Sequence, residues 1–357
     1  MENKDLKKRE KAVTNDLSGC VAEIVFALKK ERKYTAAHGY LCMLHSLLRY
    51  AGSEKMQQAP EQPKPARNRP ASVEIPSLPM CEVFTVRWLK EYQGWLSMHQ
   101  YSPNTISTYM RTLQAVYRRQ TPPGTPNYNP LLFKEVYTGV EAPTKRALTA
   151  EQMKRLTSTD FSALPPKQRQ VLACFLLMFL LRGMPFIDLA HLRKTDLRSG
   201  RIVYRRHKTG KPIVVDLLPD ATRLIQKYRD RTDSVYLFPL LDGGISDPEE
   251  LYRCYQDALR RFNRELARLM KILLPGVKVS SYTARHTWAT IAYHMGQPVE
   301  KISQALGHSS IRVTMAYLKP FDAEVMDKIN KQVFAFTKKS GKKKERADNR
   351  LCNMGLR

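Results

Sequence analysis

Four side chains in the C-terminal half of the sequence have the types that phosphodiester chemistry uses. Tyr317 follows His308 by nine residues in LGHSSIRVTMAYLK, Arg285 lies upstream in SYTARHTWAT, and Lys208 sits in HKTG. A phenol can act as a nucleophile, an imidazole can hydrogen-bond or exchange protons, and a guanidinium fork can hold two oxygens at once. An ammonium can give a proton to a departing oxygen. A phosphodiester asks for this set, because its transition state gathers negative charge on the non-bridging oxygens and needs both a nucleophile and an acid. Taken singly, each residue has an ordinary explanation: Tyr317 as packing at a helix end, Lys208 as a solvated turn lysine with Lys211 as a nearby competitor. Taken together they make a candidate site. His286, beside Arg285, reads as a structural hydrogen-bonding histidine, and His191, His207 and His294 as surface or core residues.

Such residues act only if regular elements hold them. RIVYRR and KPIVVDL are β-rich runs joined by HKTG, which predicts a hairpin over residues 201–217 with Lys208 beside its turn. The apolar run Val171 to Leu181 predicts a helix that stops at Arg182, and helices are expected again from about Pro248. The N-terminal half is helical in rhythm. Tyr40, Leu44, Leu47 and Leu48 fall at i, i+4, i+7 and i+8, and Tyr109, Leu113, Val116 and Tyr117 repeat that spacing after a Ser102-Pro103 helix start. Between them Gly52 to Pro79 holds six prolines and a polar run, to which no structure is assigned. The expected fold is mainly α with a small β-sheet. Its parts are a basic segment over 1–17, a helical domain over 18–138 with a Pro-rich insert near 52–79, a mixed α/β domain over 145–335, and a basic tail over 336–357.

Composition narrows the partner. Sixty Lys and Arg against thirty-three Asp and Glu leave a net charge of +27, a surplus that calls for a polyanion. Charge alone would be satisfied by DNA, RNA or anionic lipid. The longest apolar run is too short to span a bilayer and the N-terminus is charged, so neither a membrane segment nor a secretory signal is read and a cytoplasmic location is expected. The six cysteines lie far apart, without metal-ligand spacing. Neither G-x-x-x-x-G-K-[ST] nor G-x-G-x-x-G occurs. No metal and no cofactor are therefore expected, and the chemistry falls to side chains.

ARHTWAT, LGHSSIRVTMAY and HKTGKPIVV resemble the second arginine box, the histidine-to-tyrosine box and the lysine hairpin of the tyrosine recombinases, the phage integrase family. SPNTISTYMRTLQAVYRR is similar to that family's core-binding helical domain. RGMPFIDLAHLRKTDL is similar to its first arginine box, especially as found in integrases and invertases of Bacteroidota. The resemblance implies a two-domain clamp on double-stranded DNA and a site-specific recombinase acting as a homo-tetramer on synapsed sites. It leaves room for an accessory DNA-bending protein. It also implies roles: Tyr317 attacks the scissile phosphorus to form a 3′-phosphotyrosyl link, Arg285 holds phosphate oxygens, Lys208 protonates the 5′-oxygen, and His308 bonds the phosphate or moves the tyrosyl proton.

Two positions depart from the family pattern. With Asp188 aligned to the acidic residue that supports the first arginine box, the arginine's own place is held by Pro185, and Arg182, about one turn earlier, is the expected replacement. Tyr282 stands where a histidine is usual; its hydroxyl can contact a phosphate oxygen, but a phenol is a poor base near neutral pH. These departures keep two rivals in view, a type IB topoisomerase-like nicking-closing enzyme and a catalytically impaired DNA-binding relative.

Overall fold

A computed structural model describes residues 16–57, 78–141 and 147–318 together with 326–328, 330–332 and 334–335. The basic segment up to residue 15, most of the Pro-rich insert and the basic tail lie outside the described residues. The chain divides into two compact units, Met1–Ala142 with Ser246–Tyr252, and Pro143–Ile245 with Arg253–Arg357. The short second segment of the first unit has no counterpart in the sequence reading. Its Glu249 pairs with Lys29 at 2.7 Å and its Tyr252 stacks on Tyr34.

The first unit is helical. Asp16 caps α1 (Leu17–Lys30) by accepting from the Ser18 and Gly19 amides, and its other carboxylate oxygen takes the Leu78 amide at 2.7 Å. A break at Arg32, whose φ is +58°, separates α1 from α2 (Tyr34–Gln57). α2 also runs to Gln57, into the stretch to which the sequence reading assigns no structure. After a short α3 (Met80–Val83) come α4 (Val86–Met98), capped by Thr85, and α5 (Pro103–Gln120), where the Ser102 side chain accepts the Thr105 amide as predicted. Leu89, Tyr92, Leu96, Met110, Leu113 and Val116 bury their side chains between these helices, each of the aliphatic ones contributing roughly 1.5–3 kcal/mol of burial.

In the second unit, α6 (Ala150–Thr157) opens with a Thr149/Gln152 capping box. α7 (Pro166–Leu180) is apolar on nearly every side because it is the central helix, packed by α6, α9 (Pro219–Tyr228) and α11 (Ser281–His294). After α8 (Phe186–His191), a three-stranded antiparallel sheet follows in the order β1 (Leu197–Arg198), β2 (Arg201–Arg205), β3 (Pro212–Asp216). The β2–β3 hairpin pairs Val203 with Val214 and carries Lys208 in its turn. From Arg253 onward α10 (Pro248–Leu273) belongs to this unit, which continues with α11, α12 (Val299–Leu306) and α13 (Ile311–Met315). Among the described residues, no helix is long and apolar enough to cross a membrane.

Candidate active site

Arg285 occupies the second turn of α11, and two devices fix it there. Ser280 and Thr283 form the capping box that starts the helix. Gly183, at φ +67°, lets the chain after α7 press against it: a Cβ at Gly183 would lie 3.0 Å from the Arg285 Cα. Arg285 is 2% exposed. Its Nη1 donates to the Gly183 carbonyl at 2.8 Å, and its Nη2 donates to the Leu306 carbonyl at 2.6 Å and to His308 Nε2 at 2.8 Å. Burial, with the neighbouring charge of Arg206, draws its pKa down to about 10, which leaves it cationic at neutral pH.

His308 is set by the end of α12. Gly307 terminates the helix at φ +65°, and the His308 amide returns to the Ser303 carbonyl at 3.0 Å, turning the imidazole inward. His308 is 7% exposed, with Nδ1 2.9 Å from Thr314 Oγ1. Burial and then the charges of Arg285, Arg206, Lys208 and Lys211 push its pKa down to about 3. His308 is therefore neutral at pH 7. Since Nε2 accepts from Arg285, the ring proton resides on Nδ1 and points at Thr314.

Tyr317 follows α13 at the same place. Its amide donates to the Thr314 carbonyl, and its carbonyl accepts from His286 Nδ1 and Thr290 Oγ1, each at 3.3 Å. Its ring centroid lies 5.0 Å from His308, 4.7 Å from His286 and 6.4 Å from Tyr282, while the Arg285 Cζ lies 5.5 Å from it. One edge rests on the apolar group Ala289, Ile302, Leu306 and Leu318. His286 thus helps hold the tyrosine, in keeping with its structural reading. Tyr282, one turn before Arg285, is 52% exposed and stacks nearly parallel to Tyr317, at 17°.

Lys208 is exposed at the hairpin turn, close enough that its charge acts on His308. Its competitor Lys211 is occupied, donating to the His308 carbonyl at 2.8 Å. Asp188, buried in α8, accepts the His207 amide at 2.9 Å through Oδ1, and burial raises its pKa against the pull of that bond and of Arg206. Arg182 makes no hydrogen bond with the cluster among the described residues. It follows the end of α7 at φ +59° and sends Nη1 to the Val214 carbonyl of β3, 3.3 Å away.

The cation that does join the cluster is Arg206, which the sequence reading missed. It is 5% exposed, and its Nη1 donates to the Leu306 carbonyl at 2.6 Å and to the Gly307 carbonyl at 3.0 Å. A sequence signal existed. Arg206 shares strand parity with buried Ile202 and Tyr204, so period-two alternation turns it inward.

The Phage integrase family profile matches residues 146–324, half of the chain. Tyrosine recombinase XerA of Thermococcus kodakarensis is 28% identical over 265 residues, covering 66% of this chain and 82% of XerA. Among solved structures, XerH site-specific recombinase in a post-cleavage complex with palindromic difH substrate superposes with a TM-score of 0.57 at 15% identity, over 86% of this chain and 83% of that one. A lambda integrase dimer bound to a COC′ core site gives 0.56 at 14% identity, over 85% and 77%. At these identities the structures speak for the fold. The family match spans the hairpin, Arg285, His308 and Tyr317 together, and the chain belongs to the phage integrase family, the tyrosine recombinases.

Proposed function

We propose that the protein cuts and rejoins double-stranded DNA at specific sites through a covalent link to Tyr317. The observation that carries this reading is the seating of the Tyr317 ring against both Arg285 and His308 within one chain. In the proposed step the Tyr317 Oη–phosphorus bond forms as the phosphorus–O5′ bond breaks. Lys208, exposed and not engaged as Lys211 is, supplies the proton that turns O5′ into a free hydroxyl. The phenolic proton passes to His308 Nε2 once Arg285 Nη2 turns from that nitrogen to the phosphate, whose negative charge offsets the cations that depress the imidazole. A hydroxyl from another strand reverses the step, and the ester conserves the bond energy. Synapsis of two duplexes by four protomers, with or without a DNA-bending partner, completes the reading.

Covalent capture tests it. A pool of nicked random duplexes, in which the short cleaved strand diffuses away, should yield sequence-selective protein–DNA adducts with wild type and none with Tyr317→Phe. Efficient relaxation of a supercoiled plasmid lacking the captured site would favour the topoisomerase-like rival. Binding without adduct on any duplex would favour the impaired relative.

A further inference from the structure

The geometry points to Arg206 as the second guanidinium of the phosphate site, doing from the hairpin what the residue at Pro185 cannot do from α8. This inference rests on the recombinase reading above. Arg206 Nη1 and Arg285 Nη2 converge on one acceptor, the Leu306 carbonyl, each at 2.6 Å. Two buried cations brought to one neutral oxygen repel each other, and the nearest carboxylate is a poor remedy. Asp188 Oδ2 is 3.7 Å from Arg206 Nε, an ion-pair distance too long for a hydrogen bond. Asp188 Oδ2, Arg206 Nε and Arg285 Nε are all sealed from solvent and without a hydrogen-bond partner among the described residues. Arg206 Nη2 likewise has no partner among the described residues, yet it is not one of the sealed atoms.

A buried positive surplus of this kind is completed by an anion, and a phosphodiester with two non-bridging oxygens matches two forks. The backbone is shaped to let Arg206 in. A Cβ at Gly307 would fall 3.2 Å from Arg206 Cδ and 2.9 Å from Ile213 Cδ1, so glycine there admits the side chain as well as ending α12. Arg182 has no such setting: it is only half-buried, and its Nη1 donates to the Val214 carbonyl of β3.

The test separates charge neutralisation from folding. Covalent capture maps the cut phosphate, after which duplexes are made with an ordinary phosphate or with a neutral methylphosphonate at that position. On the phosphate duplex Arg206→Ala should form adduct on the order of 10²–10³ times more slowly than wild type at saturating DNA, the loss typical of removing one charge-stabilising donor. Arg182→Ala should stay within about tenfold. On the methylphosphonate duplex, where there is one anionic oxygen fewer to neutralise, the ratio of wild type to Arg206→Ala should shrink to about tenfold or less. If the alanine variant does not melt cooperatively, Arg206→Met keeps the stem over Gly307 and gives the same comparison. An equal deficit on both duplexes would reduce Arg206 to a structural part, and wild-type rates on the phosphate duplex would remove it from the site. Either result leaves the Tyr317 reading standing, whereas a wild-type protein that forms no adduct overturns both.

Discussion

The helical core of the first unit and the cation cluster of the second are both buried, and they differ in what they leave unpaired. Between α2 and α4 the Tyr92 phenol donates to Ser46 Oγ at 2.9 Å, and among the described residues the sealed atoms without a partner in that unit are neutral hydroxyls, those of Ser18 and Ser107. At the site they belong to Arg206, Arg285 and Asp188. An unpaired buried hydroxyl costs about 1–3 kcal/mol and an unpaired charge more. The first unit thus leaves only neutral buried groups unpaired among the described residues, while the second unit's cluster carries a positive surplus that suits an anion. Stability and function are written into different regions, and substitutions should separate them.

The sharpest break is Arg285→Ala, which should lower the rate of adduct formation on the order of 10³-fold, a loss of about 4 kcal/mol in transition-state stabilisation, measured at saturating duplex. Leu113→Ala, fully buried in the first unit, should instead cost about 2–5 kcal/mol of that unit's stability in denaturant melts, with the adduct rate of the folded fraction unchanged. If Leu113→Ala slowed the chemistry as much as the melt, the two regions would not be separable.

His308 gives a smaller and pH-dependent signal. Its folded-state pKa, about 3, lies below the value near 6.5 of a free imidazole, so between those values the unfolded chain binds the extra proton. The sign follows: stability is full above about pH 6.5 and falls as pH drops toward 3. Wild type should lose about 1–2 kcal/mol more than His308→Asn on going from pH 7 to pH 5, read as the difference between their melting profiles. Parallel profiles would show that the imidazole is not held neutral. Smallest of all, Ser102→Ala should cost about 1 kcal/mol of first-unit stability through the lost cap on the Thr105 amide, with no effect on cleavage.

Much of this separation was legible in residue order. The Ser102-Pro103 start, the α7 run and the hairpin around Lys208 announce themselves through cap chemistry and periodicity, because local rules decide them. The meeting of Tyr317 with Arg285 and His308 followed from a resemblance carried by whole motifs. Arg182 and Arg206 show where one-dimensional reasoning stopped. Proximity along the chain favours Arg182, three residues from Pro185, but the left-handed residues 182 and 183 after α7 direct it to β3. Arg206 is distant in sequence and reaches the site because strand parity turns it inward and Gly307 leaves it room, both facts of packing. The break at Arg32 was hidden for a related reason: an ordinary residue took a positive φ that no glycine signalled.

Because Tyr282 stacks beside Tyr317 and is the more exposed phenol, the most direct test is which tyrosine carries the DNA. Captured adduct, digested with nuclease and trypsin and sequenced by mass spectrometry, should show the nucleotide mass on Tyr317 alone, and Tyr282→Phe should still form it. A nucleotide on Tyr282, or an adduct that survives Tyr317→Phe, would contradict the account.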